Sequence, residues 1–203
     1  MTGARRLTIA IAAAVAMLDV LASAPALAHS TGDLAGGFAA GALHPLTGPD
    51  HLLAMVSVGI WGAELGAPAI WLLPISFPLI MAVGGALGII GVPLPATELL
   101  IALSVTVLGA MVALARPTPL WLALLVVGIF AIAHGHAHGV ELPQMADPLA
   151  FTVGFVLATG FLHAVGIVIG VGMRWPAGAR AIRLGGGGIA LAGCYFLFLY
   201  AGA

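Results

Sequence analysis

Pro68-Ala-Ile-Trp-Leu-Leu-Pro-Ile-Ser-Phe-Pro-Leu-Ile-Met-Ala-Val-Gly-Gly-Ala-Leu-Gly-Ile-Ile90 contains no charged side chain and a single hydroxyl, that of Ser76. A helix needs about 20 mostly apolar residues to cross the hydrocarbon core of a bilayer, and this run supplies them. Its interior prolines, Pro74 and Pro78, would break a helix in water. Inside a membrane bundle they are tolerated, because neighbouring helices re-satisfy the freed carbonyls. The stretch reads as a transmembrane helix.

The rest of the chain extends that reading. Of 203 residues, 62% are hydrophobic and 6% charged, and the mean hydropathy is +1.20. A soluble domain carries about 25% charged residues. Six arginines, no lysine and seven acids cannot cover the surface of a water-soluble protein of this length. The fold class is therefore all-α, a polytopic integral membrane protein in a lipid bilayer. A net charge of -1 without basic runs excludes nucleic acid as a partner. The single cysteine, Cys194, excludes an intramolecular disulfide framework and any CxxC site.

Arg5 and Arg6 precede an apolar run from Leu7 to Leu21, and Ala26-Leu27-Ala28 follows. Charged region, apolar region and small-residue cleavage box are the layout of a secretory signal peptide. Residues 1–28 are expected to be removed, leaving a membrane domain, 29–203, that begins at His29 on the periplasmic side of a bacterial inner membrane.

Six spans are expected in that domain, at 34–63, 68–90, 96–115, 119–139, 149–173 and 184–202. The first is too long for one helix and is predicted to break at His44-Pro-Leu-Thr-Gly-Pro-Asp50, where two prolines each remove a donor. With the N-terminus outside, the cytoplasmic loops are 64–67, 116–118 and 174–183. Arg116, Arg174, Arg180 and Arg183 then all lie inside, as the positive-inside rule requires. The spaced glycines Gly37/Gly41, Gly84/Gly88 and Gly166/Gly170 read as close-packing devices between helices.

Polar residues are scarce enough for their clustering to carry meaning. In the broken first span stand His44, Asp50 and His51. An ionised Asp at membrane depth costs about 2.5–3.5 kcal/mol on insertion scales, so it faces a cavity, a partner or a cation. Asp50 is also placed to cap the helix that follows. In the fourth span, His134, His138 and Glu141 fall at i, i+4 and i+7 on one helix face, while His136 points about 200° away. Two imidazoles and a carboxylate suit a divalent metal. His163, alone on an apolar helix, and His29, with its free α-amine after cleavage, complete the candidate ligands. Glu64 and Glu98 read as interfacial, and Asp147 as the cap of the fifth span.

The stretches His44-Pro-Leu-Thr-Gly-Pro-Asp-His-Leu-Leu-Ala-Met55-Val-Ser-Val-Gly-Ile-Trp61 and His134-Gly-His-Ala-His-Gly-Val-Glu141 resemble the two signature motifs of the HupE/UreJ family. Those are hydrogenase and urease accessory membrane proteins regarded as nickel or cobalt permeases. The resemblance covers essentially the whole chain and implies transport roles for His44, Asp50, His51, His134 and Glu141. Ala133 departs from the family pattern, which tends to have Phe at that place.

The expected function is secondary transport of a divalent metal, Ni2+ first, with Co2+ and Zn2+ compatible, from periplasm to cytoplasm. His138, His136 and His29 would capture the ion at the outer mouth and hand it to a deeper site of His44, Asp50, His51, His134 and Glu141. No Walker motif is present, so ATP is not expected to drive it. The ion would supply hydrogenase or urease maturation proteins, and a homo-oligomer is compatible with the sequence. Two rivals use the same residues. One is an intramembrane zinc hydrolase with Glu141 or Asp50 as base; the other is a haem carrier with axial histidines.

Overall fold

The computed structural model describes residues 34–142 and 147–201. The expected signal peptide and His29 lie outside the described residues. Every regular element among them is helical: α1 (Leu34–Thr47), α2 (Pro49–Leu65), α3 (Ala69–Ile89), α4 (Thr97–Leu114), α5 (Leu120–Glu141), α6 (Pro148–Val171), a 3-10 turn (Gly172–Arg174) and α7 (Pro176–Ala201). Five of these, α3 to α7, are long and apolar enough to cross a membrane.

The segment expected as one long first span appears as α1 and α2, of 14 and 17 residues. The interruption is confined to Gly48, whose backbone is extended at φ -80° and ψ 106°. Pro45 is accommodated within α1, and Pro49 opens α2 at a position whose N–H would have had no helical acceptor. Gly66 ends α2 at φ 77°, in the half of conformational space open to glycine. Asp147 caps α6 as expected, its Oδ1 accepting from the Ala150 amide at 2.9 Å.

Glycine contacts give the sense of each main pairing. Along α1 and then α2, Gly37 meets Asp147, Gly41 meets Phe151 and Gly59 meets His163, so the two pieces run parallel to α6. On α3, Gly84 meets Ile132 and Gly88 meets His136 of α5, again parallel. On α4, Thr106 meets Gly193 and Gly109 meets Ala190 of α7, in the opposite sense. The glycine pairs at 37/41, 84/88 and 166/170 thus sit at helix interfaces.

Polarity is inverted relative to a soluble protein. Trp71, Leu79, Leu149, Phe161, Leu184 and Phe198 are exposed, while His51, Ser57, Ser104, His134, His136, Thr159 and His163 are buried. A bilayer solvates the first set; the second must find partners or a cargo inside. Three of the four tryptophans, Trp71, Trp121 and Trp175, stand at the starts of α3, α5 and α7, the last two close to Arg116 and Arg174. Tryptophan is enriched at the membrane–water boundary, so these mark one interface.

The last helix differs from expectation. It begins at Pro176 rather than near 184, so Arg180 and Arg183 stand on its first turns and the loop before it is short. Pro at a helix start has its dihedral preset, and arginine stems can lie along apolar surface while their heads reach water. Arg183 Nε also donates to the Ala113 carbonyl at 2.9 Å, tying this turn to the end of α4. Gly185–Gly188 accordingly lie within α7 rather than at its mouth.

Candidate metal centre

The sequence of α5 sorts its residues by helical angle. His134 and His138, four apart, face α1 and α2. Gly135 and Gly139, about 100° round, face α3, where a Cβ on either would collide with the Met81 and Gly85 carbonyls. His136 faces the loop after α3. The glycines let α3 and α5 lie in backbone contact, which presses the two histidines inward.

They meet the broken helix there. Ligand nitrogens of His44 on α1, His51 on α2 and His138 on α5 all lie within 4.8 Å of one another. Ring centroids are 4.7 Å apart for His44 and His138, 4.8 Å for His51 and His138, and 5.7 Å for His44 and His51. Metal–imidazole bonds of about 2.0–2.1 Å set ligands on one ion near 3 Å apart, so small rotations of these rings suffice to close on an ion.

Asp50 prepares His51 for that role. Its Oδ1 lies 2.7 Å from His51 Nδ1 and accepts the His51 backbone N–H at 2.8 Å. An ionised carboxylate only accepts, so Nδ1 carries the proton and the lone pair is left on Nε2. Nε2 is buried and has no hydrogen-bond partner. A carboxylate behind a metal-binding imidazole fixes its tautomer and raises its basicity. Gly48 leaves the necessary room, since a Cβ there would stand 3.3 Å from both Asp50 Oδ1 and His51 Nδ1.

His134 is prepared in the same way by backbone. Its Nδ1 donates to the Phe130 carbonyl at 2.9 Å, leaving a fully buried Nε2 without partner. Its ring lies 4.9 Å from that of His51. Both nitrogens of His138 are buried and unpartnered, and Phe155 packs 4.4 Å from its ring.

The remaining sequence-derived residues fall elsewhere. His136 points away from the group and donates from Nε2 to the Val92 carbonyl at 2.7 Å. The structure therefore groups His138 with His44 and His51, not with His136 at an outer mouth. Glu141 is exposed at the end of α5 rather than deep. His163 lies on the far side of Phe77, whose ring is 5.5 Å from His134 and 5.4 Å from His163. Sequence reasoning misses Phe77; its place between Pro74 and Pro78, on a helix without charged residues, is the available signal.

The sequence also matches known proteins. The sequence model of the HupE/UreJ protein family matches residues 15–196. The chain belongs to the HupE/UreJ family. It is 45% identical over 174 residues to Protein HupE of Rhizobium leguminosarum bv. viciae, covering 85% of this chain and 91% of that protein. No solved structure matches it. Family membership bears out the resemblance carried by the two histidine motifs, both of which lie within the matched region.

Proposed function

We propose that this protein is a secondary permease that carries a divalent transition-metal ion, Ni2+ first, from periplasm to cytoplasm for hydrogenase or urease maturation. The observation that carries the reading is the convergence of His44, His51 and His138 from three helices, with ligand nitrogens within 4.8 Å. Imidazoles bind Ni2+, Co2+ and Zn2+, so the donor set suits the cargo without naming one ion. Membership of the HupE/UreJ family favours carriage over hydrolysis.

In this reading α1 and α2 cross the bilayer together as one broken span, giving six crossings with α3 to α7. The parallel sense of α1–α2 with α6, and of α3 with α5, is what strict alternation requires. The antiparallel sense of α4 and α7 fits the same alternation. The mature chain would start at His29 outside, and the tryptophan and arginine ends would face the cytoplasm. Exposed Glu141 would attract the dication to the outer side. The ion then sheds water onto His44, His51 and His138, with Asp50 holding His51, and passes on to His134. A potential of 100 mV, negative inside, favours inward movement of two charges by about 4.6 kcal/mol.

Accumulation of radiolabelled nickel in cells lacking their own importers tests this. Wild type is expected to add uptake, and His138→Ala and Asp50→Ala to abolish it at matched membrane abundance. Competition by cobalt and zinc ranks the ions. Uptake equal to the empty-vector control for the wild type contradicts the proposal.

A further inference from the structure

Beyond the three-histidine group, a second series of buried polar atoms has no hydrogen-bond partner. On α2 these are Ser57 Oγ, Trp61 Nε1 and both carboxylate oxygens of Glu64; on α6 they are Thr159 Oγ1 and both ring nitrogens of His163. Leaving such groups unpaired carries the desolvation penalty with nothing to offset it, unless something visits them.

Their order is directional. Ser57, Trp61 and Glu64 stand at i, i+4 and i+7, one face of α2, and Thr159 and His163 stand at i and i+4 on α6. The helices touch at this depth, since a Cβ on Gly59 would collide with the His163 carbonyl. Above the series, the Phe77 ring separates His163 from His134. Below it, Glu64 lines a cavity of about 320 Å3 with Leu65, Arg116, Pro117 and Thr118, on the arginine-bearing side. Beside the His163 ring lies the Pro74 carbonyl, near but outside hydrogen-bonding geometry. Pro78 has no N–H to offer that carbonyl, so the helix leaves it free.

We propose that these residues form the inner half of the ion's path, with His163 as a second metal station and Glu64 as the last ligand before the cytoplasmic cavity. The inference rests on the carrier reading above. An imidazole, a free carbonyl and a hydroxyl make a mixed nitrogen–oxygen set for a borderline divalent ion. Trp61 N–H cannot bind a cation; it donates to water on the ion or to the Glu64 carboxylate as the ion passes. Phe77 is fully buried, so the ion moves from His134 to His163 only when that ring swings aside. Outer and inner stations are thereby kept from standing open to each other at rest.

Two measurements on the full chain test the proposal. The first is Co2+ binding by the purified protein, with the outer group removed as His44→Ala plus His138→Ala. This variant is expected to retain one weaker Co2+, and adding His163→Ala to abolish it. No residual Co2+ in the outer-group variant overturns the inner station, even when wild-type uptake is intact. The second is nickel uptake by His163→Ala, His163→Gln and Glu64→Gln. Each is expected to fall at least ten-fold, while the Co2+ affinity of the outer group stays within two-fold. Gln still offers an N–H to the Pro74 carbonyl, so full uptake by His163→Gln assigns His163 to packing and overturns the proposal. If the wild type carries no ion, the carrier reading fails, and the binding result alone then decides whether His163 holds metal.

Discussion

Asp50→Asn isolates what the carboxylate does for His51. The change preserves the side chain's shape and its acceptor oxygen, so the contacts at 2.7 and 2.8 Å to His51 can persist. What is lost is the charge. Hydrogen bonds to an ionised group are worth about 1.5–3 kcal/mol against about 0.5–1.5 for neutral pairs, a difference near 1 kcal/mol per bond. Two such bonds give roughly 2 kcal/mol, which is on the order of 30-fold in an equilibrium constant. That falls within the 10–100-fold usually lost when a supporting partner of a metal ligand is removed. The assay is Ni2+ affinity by competition with a chromophoric chelator, run as a double-mutant cycle with His51→Ala. Because Asp50 acts through His51, Asp50→Asn is expected to change affinity less than two-fold once His51 is Ala. An equal loss on both backgrounds would show that Asp50 binds the ion itself, and the positioning argument would be wrong.

Other consequences follow from the packing. Gly135→Ala drives a methyl into the Met81 carbonyl and is expected to lower thermal stability in detergent by about 3 kcal/mol or more. Gly187, with open space around its Cα, is expected to tolerate Ala with a gain of about 0.5–1 kcal/mol; similar losses at both sites would contradict the close-contact account. His136→Ala removes the donor to Val92 and is expected to cost about 1 kcal/mol of stability while leaving Ni2+ affinity unchanged, read by thermal melts and chelator competition. Glu141→Gln is expected to raise the KM of uptake a few-fold at low ionic strength with the maximal rate unchanged. The difference should vanish in high salt, because the interaction is between solvated charges.

Much of this molecule is legible in its amino-acid sequence. A run such as residues 68–90 has no alternative home in water, and the extended backbone of Gly48 follows from Pro49, since the residue before a proline is pushed out of the helical region, whereas Pro45 breaks nothing. The pattern of α5 is also legible once its angles are drawn, since only glycine can occupy the face that meets α3. What spacing along one helix cannot reveal is which residues of other helices stand opposite. Spacing alone therefore groups His138 with His134 and Glu141 and not with His44, and it gives Phe77 no role. Glu64 reads as a bland interfacial acid because its position at a helix end is visible in the sequence, whereas the seclusion of its carboxylate oxygens depends on how the helices pack. The early start of α7 is hidden because arginines and glycines lower local hydropathy although the chain there is helical.

The most direct test is flux through the purified protein in sealed proteoliposomes carrying a metal-sensitive dye, with a potassium diffusion potential set negative inside. The account predicts that Ni2+ enters vesicles containing the wild type, faster as the potential is made more negative, and that vesicles containing His138→Ala match protein-free vesicles. Metal bound tightly by the wild type without any potential-dependent flux would contradict it, and the three histidines would then be a resident metal site rather than a station on a path.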